Sequence, residues 1–117
     1  MAWTINNGKL YFNTKLYTGN ASTQSITGVG FQPDLVWGKN RSSVTNHSLQ
    51  DAVRGNTKVI KSSTSGAETT ITNMVTSFDS DGFSLGADSD MNGSSANQVA
   101  WNWKANGSGS LNEVGSI

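Results

Sequence analysis

The chain has no cysteine, a single histidine and no long apolar run, and each scarcity excludes a class of chemistry. Without cysteine there is no disulfide framework and no thiolate metal site. No stretch reaches the roughly 20 apolar residues that a membrane helix requires. The opening MAWTINNGKLYF also lacks the basic-then-apolar pattern of a secretory leader. Charged residues make up only 14% of the chain and cancel to a formal net charge of zero. That balance argues against nucleic-acid binding, whose affinity rests on neutralising phosphates. Neither nucleic acid nor a membrane interior is therefore expected as a partner.

Apolar residues are scarce as well, at 34% of 117, and they include four tryptophans and four phenylalanines. This length fits one domain. Its core must lean on a few large rings, each burying more area than a valine. The stability left after chain entropy is then small, so partner subunits are expected to add to it. Plentiful instead are 13 Gly, 17 Ser, 12 Thr and 13 Asn. Glycine is entropically costly in a helix, and short polar side chains compete for helical backbone bonds. Turns and strand ends accept both. The patterned tryptophans speak against disorder over most of the length. Charge is uneven despite its zero sum: residues 1–58 hold six Lys/Arg against two Asp, and residues 59–117 two Lys against six Asp/Glu. Within one fold the halves neutralise each other; patches that steer a subunit contact are the alternative.

Period-two alternation recurs along the chain, and no segment sustains a 3.6-residue apolar repeat. Residues 10–12 and 15–17 read as an opening strand pair or one bulged strand, closed by the turn Thr18-Gly19-Asn20. Residues 24–27 form a brief strand stopped by Gly28-Val29-Gly30. Residues 34–39, entered through Pro33, set Leu35, Trp37 and Lys39 on one face and Val36 and Gly38 on the other. A glycine inside a strand predicts something packed closely over it, such as an aromatic ring or a neighbouring backbone. Residues 48–54 fit either a helical turn or an edge strand. Residues 58–63 form a strand and 69–75 a weaker, Thr-rich one. Asp79-Ser80-Asp81-Gly82 turns a hairpin into Phe83-Ser84-Leu85-Gly86. After a polar loop over 87–97 comes the best-patterned strand, 98–104, with Val99, Trp101 and Trp103 on one face. Together these segments predict an all-β antiparallel sandwich, concanavalin-like or jelly-roll-like, over residues 1–105, with 106–117 as a flexible linker or tail. Trp37, Trp101 and Phe83 are expected inside it.

Signals for chemistry are thin. A nucleophile needs a base held against it, and His47, the only histidine, lies in a polar segment and reads as a loop residue. Asp79 and Asp81 are carboxylates of the glycosidase type, yet turn formation explains them better. Asp88, Asp90 and Asn92, with Gly93 next, match the first half of a calcium loop. The second half fails, because its twelfth position is Val99. A polar loop without metal is the default, so no cofactor is expected and calcium is the one candidate. Exposed aromatics can stack on sugar rings or anchor a partner. Trp3, Tyr11, Tyr17 and Arg41 are the candidate interface or glycan-facing residues. Five Asn-X-Ser sequons, at Asn20, Asn40, Asn46, Asn92 and Asn106, mark loops and nothing more.

Four separated segments, YFNTKLYTGNASTQSITGVGFQPDLVWGKNRSS, LQDAVRG, TSFDSDGFSLG and VAWNWKANGSG, carry a resemblance. In this order they resemble a β-rich domain recurrent in virion structural and tail-fibre-associated proteins of marine bacteriophages, including phages of cyanobacteria. The likeness spans Tyr11 to Gly109 and includes Trp37, Arg41, Arg54, Asp81, Trp101 and Trp103. It implies a sandwich often found in tandem, with no enzymatic activity. Arg54 with Asp51 or Asp34 is a candidate ion pair. The chain departs from the family at Gly38, where a large aliphatic residue is usual, and in its short 56–76 segment.

The expected function is that of a non-enzymatic virion structural module, in a tail fibre, an appendage or a capsid decoration. It would act on the extracellular particle by subunit packing and surface display, with other virion proteins and further copies of itself as partners. The alternative is a carbohydrate-binding module for host surface glycan, which needs an exposed aromatic beside polar groups. A glycan hydrolase comes third.

Overall fold

The computed structural model describes residues 8–105, so Trp3 and the expected tail at 106–117 lie outside the described residues. A single 3-10 turn, Gly8–Leu10, precedes β1, Phe12–Thr18. There follow β2 (Gln24–Ile26), β3 (Leu35–Asn40), β4 (Ser48–Asp51) and β5 (Gly55–Lys61). After these come β6 (Thr69–Thr70), β7 (Val75–Asp79), β8 (Gly82–Leu85), the short helix α1 (Ser89–Asn92) and β9 (Asn97–Trp103). The strands form a six-stranded sheet in the order β1-β9-β3-β4-β5-β6 and a three-stranded sheet in the order β2-β8-β7. Every pairing is antiparallel. The chain is an all-β antiparallel sandwich, as its alternation predicts.

Local chemistry accounts for most of the boundaries. Asp79 pairs with Gly82, leaving Ser80-Asp81 as the two-residue hairpin loop. Asp51 ends β4 and accepts from the Arg54 backbone N–H at 2.8 Å, which turns the chain into β5. Residues 48–54 are thus strand and turn, not helix. The Thr-rich segment divides: Thr69–Thr70 pairs with β5, whereas Val75 opens β7 in the other sheet. Only one strand crosses residues 10–17, beginning at Phe12.

Ile26, Val36, Val59, Met74, Val75, Phe83, Leu85, Met91 and Ala100 form the core between the sheets. Phe83 lies there fully buried, as expected. Trp37 and Trp101 do not. On β3 and β9 the residues turned inward are Val36, Gly38, Ala100, Gln98 and Asn102, all buried, and the tryptophans point to the opposite face. Volume explains the inversion, since facing layers interdigitate at native density only if large residues meet small ones. Phe83, Leu85 and Met74 arrive from the small-sheet side and Met91 from α1, so the large sheet offers its small residues in return. At Gly38 the match is tight. A Cβ built there would lie 1.7 Å from Met91 Sδ. The predicted close neighbour exists, and it is a thioether instead of an aromatic ring or a backbone.

Candidate functional site

The outward face of the six-stranded sheet gathers the large apolar side chains that the core leaves out. Strand register sets them in rows. Phe12, Trp103 and Leu35 lie across β1, β9 and β3. Thr14, Trp101, Trp37, Leu49 and Ile60 form the next row, reaching β5. Leu16, Val99 and Lys39 form a third. Phe12 packs on Trp103 with ring centroids 5.0 Å apart, and Trp37 on Trp101 at 5.5 Å. Trp37 and Trp103 stack at 6.5 Å with an interplanar angle of 21°. Such contacts add about 0.5–1.5 kcal/mol each beyond area burial. The three tryptophans are half-buried by one another, while Phe12, Leu16 and Ile60 remain 38%, 59% and 41% exposed. No other strand or helix covers this face among the described residues.

Charged groups bordering the rings are engaged within the domain, whereas Trp37 Nε1 has no partner among the described residues. Lys39 Nζ donates to the carbonyls of Asn40 and Ser43, at 2.6 and 3.1 Å. Arg54 Nε donates to Asp51 Oδ2 at 2.5 Å and Nη1 to Glu68 Oε2 at 2.9 Å. Of the two expected partners, Arg54 takes Asp51; Asp34 instead accepts from the Ala105 N–H at 2.7 Å. Burial pushes the Asp51 carboxyl up, but the hydrogen bonds and charge of Arg54 outweigh it and hold the carboxyl below its usual range.

The small sheet presents the opposite chemistry. Ser84 Oγ donates to Asp79 Oδ2 at 2.6 Å, Ser77 Oγ to Asp79 Oδ1 at 2.7 Å, and Ser25 Oγ lies 3.0 Å from Ser84 Oγ. A shallow, open groove of about 290 Å³ runs beside them, between Thr23, Gln24, Ser25, Thr76, Ser84 and Leu85. One outer face is thus aromatic and the other hydroxylated.

The family match covers residues 7–117, every element described above. The chain belongs to DUF7483, a domain of unknown function. No curated protein and no solved structure matches it.

Within this DUF7483 domain the remaining candidates disperse. Tyr11 is exposed beside the aromatic face, and Arg41 is exposed at the end of β3. Tyr17 turns inward instead of toward a partner: its hydroxyl donates to the Met91 carbonyl at 2.7 Å and its ring meets Phe83 edge-on at 6.2 Å. Burial pushes its hydroxyl pKa up. Inward orientation follows from β1 alternation, since Phe12, Thr14 and Leu16 take the outer face. The half calcium loop does not converge. Asp88 caps α1 by accepting from the Asp90 N–H at 2.9 Å, and burial raises its pKa. Asp90 pairs with Lys61 at 3.4 Å. Asn92 is fully buried, and its carboxamide is spent on the protein. Oδ1 accepts from the Asn20 N–H at 2.9 Å and from Gln24 Nε2 at 2.6 Å. Nδ2 donates to Asn20 Oδ1, Ser22 O and Gly86 O at 3.1, 2.5 and 2.7 Å. No cluster of three His, Cys, Asp or Glu exists among the described residues.

His47 sits in a loop, its N–H donating to Ser63 Oγ at 3.1 Å. Asp81 does more than shape its own turn. Its carboxylate accepts from the N–H groups of Gly28 at 2.9 Å and Gly30 at 2.7 Å, tying a distant loop to the hairpin. Those two backbone bonds hold its carboxyl below the usual range. Both glycines have positive φ, 79° and 93°, which lets their amides converge on one carboxylate. The aromatic face itself is the feature missed from sequence. Its signal was the inner half of the same alternation: Gln98, Ala100 and Asn102 are small or polar, which suits them to face a bulky opposing layer.

Proposed function

We propose that this DUF7483 domain is a non-enzymatic structural module of a virion, packed into a tail fibre, appendage or capsid decoration through its aromatic sheet face. The supporting observation is the outward set of rings, exposed Phe12 and half-buried Trp37, Trp101 and Trp103, with exposed Leu16 and Ile60 around them among the described residues. Contiguous exposed apolar surface on a small domain marks an interaction site, and interface cores favour tryptophan and phenylalanine. The hydroxylated small sheet is then the displayed side. Virion membership is the part of the proposal carried by the sequence resemblance.

A host-glycan module also finds its aromatic platform on this face. Subunit packing is the better fit, because sugar hydroxyls need free donors and acceptors beside the ring. Here Lys39, Asp51 and Arg54 spend theirs inside the domain.

Trp101→Ser and Phe12→Ser tested together in assembled particles check the proposal. Both residues lie outside the inter-sheet core, so the isolated variants keep a single cooperative unfolding transition while incorporation into particles falls. Incorporation at the wild-type level would overturn packing through this face. A saturable change in indole fluorescence on titration with host polysaccharide would favour the glycan alternative.

A further inference from the structure

The two edges of the large sheet are built differently. Edge strand β6 has two residues, a length that offers little to a passing strand. At the other edge, β1 runs seven residues in unbroken register with β9, without proline or bulge. Natural edge strands are normally blunted by such devices or by charge. The one charge on β1, Lys15, points to the inner side, where a Cβ on Gly28 would lie 2.8 Å from its Nζ. An inward charge can also guard an edge, but this one is offset by Asp81 of its own chain, and the outer side of β1 carries no charge.

Hydrogen-bond phase decides which backbone groups are open. Lys104 N–H donates to Tyr11 O at one end and Gly19 N–H to Ala96 O at the other. The bonded pairs between β1 and β9 are therefore those of the odd-numbered residues of β1. The N–H and C=O groups of Phe12, Thr14 and Leu16 face away from the sheet, and no other hydrogen bond occupies them among the described residues. Their side chains lie together on the outer face, exposed.

Large apolar, threonine, large apolar is an order that reads alike in both directions. We propose that two copies of this chain pair through β1, antiparallel about a two-fold axis at Thr14, joining their six-stranded sheets into one. Thr14 then opposes its own copy, and Phe12 opposes Leu16 of the second copy, each residue exchanging both backbone bonds with its opposite. The interface is isologous and closes at two. It also carries the aromatic face across the junction, from Trp103 and Phe12 of one copy onto Leu16 and Val99 of the next. Strand addition of this kind draws affinity from main-chain bonds and specificity from alternate side chains. The proposal goes beyond packing on the aromatic face and does not depend on what covers that face.

Sedimentation and amide hydrogen exchange on the full chain test it. The expected mass is that of two chains. The amides of Phe12, Thr14 and Leu16 are expected to exchange as slowly as those of Asn13 and Lys15, roughly a hundredfold or more slower than open amides. Thr14→Pro removes an N–H that β9 does not use, as an edge strand tolerates, and is expected to return the mass to one chain. A single-chain mass at the highest soluble concentration overturns the proposal. So does fast exchange at Phe12, Thr14 and Leu16 between slow neighbours, whatever the mass, since a dimer formed through the aromatic face leaves those amides open. Should Thr14→Pro fail to fold, the exchange pattern of the unaltered chain still decides.

Discussion

Replacing Asn92 by aspartate exchanges one amide nitrogen for an oxygen, and the structure turns that small change into a large penalty. Nδ2 donates to Ser22 O, Gly86 O and Asn20 Oδ1, so the new oxygen would face three acceptors. Asn20 and Ser22 are exposed and can turn to water, whereas Gly86 is buried and its carbonyl loses its donor. A stranded buried acceptor costs about 1–3 kcal/mol. Burying a carboxylate without a counter-charge adds several more, or forces it to bind a proton. A loss of about 3–5 kcal/mol follows, a large share of the roughly 5–15 kcal/mol that holds a domain folded. Urea unfolding followed by tryptophan fluorescence, with and without millimolar calcium, reads the effect. Asn92→Ala serves as control, removing the bonds without adding a charge, and should cost less. Were Asn92 a calcium ligand, aspartate would strengthen the site and calcium would restore stability by mass action. Asn92→Asp unfolding at the wild-type urea midpoint, or rescued by calcium, would refute the reasoning.

Three further outcomes follow from the packing and the charges. Gly38→Ala should cost about 1–3 kcal/mol by overpacking and Met91→Ala about 2–5 kcal/mol by cavity formation, because a Cβ at Gly38 collides with Met91 Sδ. Their double variant should fall short of the sum by about 1 kcal/mol or more, and strict additivity in urea melts would show that the two do not share one space. Gln98 is fully buried with neither amide atom hydrogen-bonded among the described residues. Gln98→Met should therefore raise stability by about 1–3 kcal/mol, and a lowered melting temperature would count against it. Asp81 binds its proton less readily folded than unfolded, so its contribution is present above the unfolded carboxylate pKa of about 3.9 and fades as pH falls through the lower folded value. The stability gap between wild type and Asp81→Asn should accordingly be open at neutral pH and close in acid. A gap that stays constant down to the lowest pH would contradict the Gly28 and Gly30 bonds as its source.

Sequence alone determined what depends on neighbours along the chain. Alternation located most of the strands, and the Asp-Ser-Asp-Gly step marked the hairpin that closes between Asp79 and Gly82. Abundant Gly, Ser, Thr and Asn excluded long helices, and α1 has four residues. Alternation also put Val99, Trp101 and Trp103 on one side of β9, because successive side chains in a strand must point apart. Which side faces inward is a different kind of question, since a strand has two faces and period two favours neither. The answer depended on partners far away: Met91 filling the space over Gly38, and Phe83 and Leu85 filling the rest. With that volume occupied, the tryptophans went outward and small and polar residues went in. The half calcium loop was legible as a pattern of oxygen-bearing residues, yet tertiary contacts sent its members to Lys61, to the start of α1 and to the Asn20–Gln24 loop. Local propensity chose the strands; long-range volume and hydrogen-bond matching chose the core and the outward aromatic face.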